Sequence, residues 1–422
     1  MLVFMPIVLI TIIVGCGGND NVNQPDDTQP QAEIYEDENE NEEVFELEIE
    51  EPTGFIFDTK EGILFMENVK SEYDKNGKYY AYADTAIENL LTNFWHERRN
   101  IFYDGYPQKT ASAFHYWWYA HGIDALADAY IRTGNEKYKE YADIVLGTIV
   151  RRNNGITNDY YDDMLWMAIA LLRFYDATGE EKYKEYVEIL WEDIKRGWND
   201  NMGGGIAWRK SQLDYKNTPS NAPAVILAAR MYRLFKNPED FEWAKKIYEY
   251  QKETLVDKVT GQVWDGINRE GNGRIDKNWN FTYCHGVYIG AGVELYKITG
   301  EEVYLDDAKK TANYALNTFF NERNGTFTES GEGDGGLFKG IMTRYMTELY
   351  LISPDMSGIK SKLEMCAETL RESGTTEEGL FAKNGYRILR NGDGYDLSTQ
   401  LSGVMLYEMM AVIEGNVLSK EE

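Results

Sequence analysis

The sequence predicts an all-α fold, an (α/α)6 toroid of six helical hairpins. The first observation behind this is an alternation. Segments that are apolar nearly all round, MLWMAIALLRFYDA from Met164, APAVILAARMYRLF from Ala222 and HGVYIGAGVELYKI from His285, take turns with amphipathic ones. In KYKEYVEILWEDIKRGW, the residues Tyr183, Tyr186, Val187, Leu190, Trp191 and Ile194 share one helical face with charges opposite. The first kind belongs inside a ring of helices and the second outside it. The second observation is a recurring joint: TGNEKY at Thr133, TGEEKY at Thr178 and TGEEVY at Thr299, with FKNPEDF at Phe235 in an equivalent place. Glycine ends one helix there and acidic residues open the next. The third is the period of roughly 45 to 60 residues, which marks a repeated helical hairpin.

Along the chain, Leu2 to Gly15 is an apolar run of 14 residues, short for a membrane span and the length of a signal-peptide core. It ends in IVGC at Cys16, which resembles the lipobox of bacterial lipoproteins, although no Lys or Arg precedes the run. The resemblance implies acylation of Cys16, an anchor that is stable only with two or more chains. Asp20 to Glu51 then holds 14 acidic residues and no Lys or Arg, the composition of a self-repelling disordered tether over residues 16–54. Residues 55–418 form the folded domain. An exported lipoprotein at the outer membrane or cell surface of a bacterium is expected, with membrane contact only through the lipid. The net charge of -28 argues against a nucleic-acid partner. Cys284 and Cys366 are expected as free, buried thiols.

Outer helices are expected near Tyr80, Tyr138, Tyr183, Phe241, Tyr304 and Ser361, and inner ones near Ala113, Met164, Ala222, Gly286, Lys339 and Leu397. No strand run competes strongly. Inner-to-outer joints are mostly short. Outer-to-inner joints are long and rich in Gly, Asn, Trp and Tyr: Trp95 to Ser112, Asn153 to Asp163, Trp198 to Asn221, Asp257 to Tyr283, Asn321 to Phe338 and Ser373 to Asp396. All enter inner-helix N-termini, which lie on one face of an alternating ring, and converging loops on a rigid scaffold are where ligands bind.

Asp162 and Asp163 sit at one of those N-termini, directly before a buried run. The helix dipole and free N–H groups can hold one carboxylate as an anion. Its neighbour, facing that charge and partly desolvated by Tyr160, Tyr161 and Trp166, should keep its proton. A pair divided in this way supplies one nucleophile or base and one acid, as glycoside hydrolysis requires. Adjacent Cα atoms lie about 3.8 Å apart, which favours the carboxyl separation of about 5 to 5.5 Å typical of retaining enzymes. Helix capping is the plainer explanation of such a pair, and the acid pair alone does not say which residue takes which role.

YYDDMLW, GGGIAWRK at Gly203, YKNTPSNAPAVILAARMY at Tyr215, FTYCHGVYIGAGVELYKITG at Phe281 and GDGGLFKGIMTRYM at Gly333 resemble, in order, the blocks of glycoside hydrolase family 76, the bacterial endo-α-1,6-mannanases. The resemblance covers roughly residues 60–415. It implies an (α/α)6 fold and retaining cleavage of α-1,6-mannan, with Asp162 as nucleophile and Asp163 as acid/base. The family pattern more often carries Asn and Gln where this chain has Cys284 and His285, a departure that bears on the sugar contacts. Fungal relatives of the family imply transglycosylation as an alternative.

Sugar rings present apolar faces, which makes Trp117, Trp118, Trp208, Trp264, Trp279 and Tyr283 candidate platforms, Trp208 and Tyr283 foremost because they fall within family blocks. Tyr161, Asn217, Asn221 and Asp334 are candidates for hydroxyl contacts, although Asn221 before Pro223 also reads as a helix start. A Cys284–His285 nucleophile is disfavoured, because sequence neighbours seldom reach thiol-to-imidazole geometry. His96, His115, His121 and His285 show no metal-ligand spacing, and GEGDGG at Gly331 lacks the Lys-Ser/Thr of a phosphate loop. No metal or cofactor is expected. The expected protein is a monomer acting on α-mannan polysaccharide or oligosaccharide; the rival is a surface lipoprotein that binds glycan without cleaving it, or another (α/α)6 enzyme.

Overall fold

The computed structural model describes residues 73–107, 114–329, 331–385, 387 and 394–418. The signal peptide, Cys16, the acidic tether and Ala113 lie outside the described residues.

Among the described residues, twelve α-helices run in chain order: α1 Lys78–Phe94, α2 Tyr116–Thr133, α3 Glu136–Arg152, α4 Tyr161–Thr178, α5 Glu181–Lys195, α6 Thr218–Phe235, α7 Pro238–Leu255, α8 Thr282–Thr299, α9 Glu302–Thr318, α10 Gly335–Ile352, α11 Ser357–Ser373 and α12 Leu397–Leu418. The even-numbered helices form the inner ring. Each packs against the next, and α12 returns to α2 to close the circle, while the odd-numbered helices lie against its outside. This is the (α/α)6 toroid that the alternation of apolar and amphipathic segments predicts. All six expected inner helices and all six outer ones are present.

The recurring joints work as read. Gly134, Gly179 and Gly300 close α2, α4 and α8 in the left-handed conformation, with φ of 67°, 70° and 67°. In FKNPEDF that position is Lys236, at φ 56°, where a side chain costs about 1 to 2 kcal/mol that glycine avoids. Asn135 and Asn237 then cap α3 and α7 by accepting the N–H of Lys137 and Glu239.

Crowding at the ring's centre explains the small residues of the inner helices. A β-carbon on Gly286 of α8 would stand 2.6 Å from the Cα of Met342 in α10, so the two backbones leave no room for a side chain there. Below the mouth, buried ion pairs tie the inner helices across the ring. Arg344 of α10 reaches Asp128 and Asp124 of α2 at 2.5 and 2.8 Å, and Arg173 of α4 pairs with the same two aspartates. Arg132 of α2 meets Glu408 of α12 at 2.8 Å. Arg230 and Arg233 of α6 meet Glu294 of α8 at 3.0 and 2.6 Å, and Arg230 also reaches Glu348 of α10. The Arg173 and Arg344 guanidiniums hold the Asp124 carboxyl well below the ordinary carboxylate range against the pull of burial. Removing one partner from such a set strands a buried charge and typically costs about 3 to 5 kcal/mol.

The loops bear more order than the sequence suggests. Short strands occupy them: β1 Trp95–His96, β2 Ile101–Phe102, β3 Gly105–Tyr106, β4 Ala207–Arg209, β5 Gln212–Asn217, β6 Gly266–Ile267 and β7 Tyr395–Asp396. β4, β5 and β6 form an antiparallel three-stranded sheet on the mouth. Strand spacing was not evident because these segments are two to six residues long and are held by side chains as much as by ladders. Lys216, fully buried, donates to the carbonyl of Gly205 at 2.7 Å, and Asn221 clamps both backbone groups of Ile206.

Candidate active site

The inner helices begin one to three residues before the ends of the loops expected over Asn153 to Asp163, Trp198 to Asn221, Asp257 to Tyr283 and Asn321 to Phe338. Asp162 and Asp163 therefore occupy the first turn of α4 rather than the loop before it. Tyr160 takes the cap position without a side-chain cap, which leaves terminal N–H groups to the acids.

The surroundings of the two carboxyls differ. Asp162 accepts a hydrogen bond from the backbone N–H of Asp163 at 3.0 Å and another from the indole N–H of Trp208 at 3.1 Å. Asp163 accepts one, from the side-chain amide of Asn158 at 2.9 Å. Asn158 is itself held in a turn, its Oδ1 accepting the N–H groups of Asp159 and Tyr160. Burial raises the pKa of both acids. Two donors restrain the rise at Asp162, to about 7, with the charge of Asp265 adding to it. Asp163 is pushed higher, because after burial the negative charges of Asp162 and Asp334 both act on it and a single donor opposes them. The anion therefore belongs on Asp162 and the proton on Asp163.

Trp208 is placed by the hairpin. β4 runs beside the loop before α4, with Arg209 bridged to Tyr160 and the Lys210 N–H bonded to the Asp159 carbonyl. The Trp208 ring meets Tyr160 and Tyr215 edge-on at 5.2 and 5.7 Å, and the Arg209 guanidinium stands 4.7 Å from its centroid.

A second carboxylate cluster faces the pair. Asp265 is buried and accepts the hydroxyls of Tyr283 at 2.8 Å and Tyr215 at 2.9 Å, with Arg269 against it and the Cys284 thiol 3.6 Å away. Asp334, exposed at the start of α10, receives the indole N–H groups of Trp117 and Trp118 at 3.1 and 2.9 Å. Tyr283 stacks on Phe338 at 3.9 Å, and Phe338 also meets Trp117 and Phe281. One turn below the mouth, His121 lies between Trp117 and Trp166 with no protein partner on either ring nitrogen. Burial lowers its pKa to about 4 and leaves it neutral.

Four aspartates, an aromatic belt and a rigid ring of helix N-termini thus share one opening. The sequence matches the family model for glycosyl hydrolase family 76 over residues 78–419. The chain belongs to that family.

Similar solved structures share the fold. The GH76A α-1,6-mannanase from Salegentibacter sp. HEL1_6 is 41% identical, with a TM-score of 0.74 over 80% of this chain and all of that one. The Lin0763 protein from Listeria innocua is 38% identical, with a TM-score of 0.76, covering 80% of this chain and 98% of that one. A putative mannan endo-1,6-α-mannosidase of Schizosaccharomyces pombe is 26% identical over 64% of this chain and 66% of its own length. The chain spans between half and two thirds of the first fungal relatives it matches.

Within this family site, the structure brings together Asp162, Asp163, Trp208, Tyr283 and Asp334, along with Trp117 and Trp118. Others expected at the sugar do not join them. Tyr161 is buried at 4% exposure, its ring against Gly197 at the end of α5. Asn217 is the cap of α6, accepting the Ser220 N–H at 3.3 Å. Asn221 is wholly buried and spent on the backbone of Ile206 and Asn217. Tyr161 and Asn221 fall within the first turns of their helices and Asn217 caps one, so each is a packing or capping residue. His285 is also structural: its Nδ1 pairs with the Phe281 carbonyl at 2.8 Å, and its Nε2 accepts the Val263 N–H at 3.0 Å. Its bonds rule out a partnership with Cys284, whose thiol burial pushes far above its ordinary pKa. Cys284 and Cys366 are free and buried, as expected. Asp265, Asn158 and Phe338 were not singled out by sequence reasoning. Only the WDG stretch around Asp265, an acid beside a Trp in a long joint, gave a usable signal.

A carboxyl whose folded-state pKa is raised adds stability below its unfolded value of about 4, and that stability is lost as pH rises. Asp163→Asn should therefore stabilise the fold, by about 1 to 3 kcal/mol at pH 8, with the gain vanishing near pH 4. Urea unfolding at both pH values checks this.

Proposed function

We propose that this protein is an endo-acting glycoside hydrolase that cleaves α-1,6-mannosidic bonds of mannan-type polysaccharide with retention of configuration. The observation that carries the reading is the unequal hydrogen bonding and neighbouring charge at two adjacent carboxyls at the toroid mouth. The 40%-identical Salegentibacter protein lends support: a variant with two consecutive aspartates changed to asparagine is inactive and was obtained in complex with α-1,6-mannotriose.

In this mechanism the Asp162 carboxylate, oriented by Trp208 and the Asp163 N–H, attacks the anomeric carbon. The glycosidic C–O bond breaks as Asp163 gives its proton to the leaving oxygen. Asp163, now a carboxylate, takes a proton from water, whose oxygen attacks the anomeric carbon and releases Asp162. Asp334, near enough for its charge to act on Asp163, favours the protonated form in which each cycle starts. The order of roles, nucleophile first, is the one the family resemblance implies.

The proposal includes export and anchoring through an acylated Cys16 ahead of an acidic tether. The IVGC stretch and the run of acids support it. Metabolic labelling with palmitate should mark the protein and fail on Cys16→Ser; labelling of the variant would refute the anchor.

Asp162→Asn and Asp163→Asn should each lower kcat on linear α-1,6-mannan by about 10²-fold or more. NMR of the first-formed anomer should give the α product. Near wild-type turnover in either variant removes the mechanism, and an inverted product removes the covalent route. Binding of oligosaccharide with no new reducing ends from the wild type would favour the glycan-capturing rival.

A further inference from the structure

Among the described residues, Trp279 is the most exposed aromatic side chain, with 43% of its surface open. The other tryptophans, tyrosines and phenylalanines are more covered, and most are packed between helices. Trp279 lies in the long joint between α7 and α8, on the face where the catalytic pair sits. An isolated surface tryptophan would be expected to move freely, but this one is held. The Arg269 guanidinium lies 3.8 Å from its ring centroid. That guanidinium is fixed in turn by Asp276 at 3.1 Å and by Asp265. With one face of the indole covered by the cation, the exposed area belongs to the rest of the ring.

Two chains of contact link this ring to the chemistry. Arg269 also stands 4.7 Å from the Tyr215 centroid; Tyr215 meets Trp208 at 5.7 Å, and Trp208 donates to Asp162. On the other side Trp279 meets Phe281 edge-on at 5.7 Å, and Phe281 leads to Phe338 and the stacked Tyr283. The aromatic belt of the mouth thus runs outward and ends in an exposed, immobilised indole. A residue that only filled space would be buried. A flat apolar surface held rigid in water suits a pyranose ring, whose C–H face stacks on it at little entropic cost.

We propose that Trp279 is a remote sugar platform that holds a pyranose unit of the substrate chain beyond the units bound at the carboxyl pair, which would favour long chains over short ones. This rests on the functional reading above, and the test separates the two. Wild type, Trp279→Ala and Trp279→Phe are compared on linear α-1,6-manno-oligosaccharides of increasing length. For Trp279→Ala, kcat/KM on the longest chains should fall about 10-fold, while kcat on the shortest cleaved chain stays at the wild-type value and Trp279→Phe recovers most of the loss. An equal loss at every length would make Trp279 structural, and no loss at any length would remove the platform. A wild type that cleaves none of these chains would refute the functional reading alone. Calorimetry of linear α-1,6-mannohexaose with wild type and Trp279→Ala would then decide the platform: weaker binding by the variant supports it, and equal binding or none overturns it.

Discussion

Six parallel helices cannot close a ring without aligning their dipoles, and the charges of this protein are arranged along that constraint. Each inner helix points its N-terminus at the mouth, where the partial positive ends accumulate. The acids of the candidate site, Asp162, Asp163 and Asp334, stand in or beside the first turns of α4 and α10. The buried arginines lie further along. Arg173 and Arg230 are each 12 residues into α4 and α6, roughly 18 Å below the mouth at the helical rise, and Arg132 is near the end of α2. Acids at the positive ends and guanidiniums toward the negative ends reduce the cost of burying both. The ion-paired layer also fixes the relative positions of the helices, and therefore the separation of side chains borne on different helices at the top.

Between the mouth and that layer the ring is lined by aromatic side chains. Trp166 and His121 each lie five residues into their helices and form a floor beneath the carboxyls. A floor of this kind withholds water from Asp162 and Asp163, so the few donors they retain decide which one ionises. The asymmetry is small in structural terms. It amounts to one extra N–H from Trp208 on Asp162 and one extra carboxylate, Asp334, acting on Asp163. In a desolvated site these contacts outweigh what they would contribute in water.

Architecture was legible in the sequence because it rests on local periodicity. The TG-E/N-E joints, the apolar runs and the lengths of the connections each reflect a physical requirement that acts within a few residues. Asp162 and Asp163 were legible for the same reason: the charge pair conflicts with the buried run that follows it. What depended on the long joints was not. Trp208 could be proposed as a platform, but its bond to Asp162 follows from the β4–β5 hairpin, whose strands are too short to show a period. Asp265 joins residues from α8, β5 and its own loop, separated by up to 50 positions, and no local pattern encodes that meeting. Asn217 and Asn221 looked like ligands because polar residues beside a cleft and polar residues beginning a helix have the same sequence signature, and only the exact first turn of α6 separates them.

The central claim is that Asp163 keeps its proton while its neighbour Asp162 gives its proton up. Carbon-13 NMR of the protein labelled at the aspartate carboxyls, with the two resonances assigned through Asp162→Asn and Asp163→Asn, measures both titrations in the free enzyme. Asp163 should titrate at higher pH than Asp162, and its midpoint should drop in Asp162→Asn, where the facing charge is gone. Asp162 titrating above Asp163, or Asp163 titrating near an ordinary aspartate value of about 4, would contradict it.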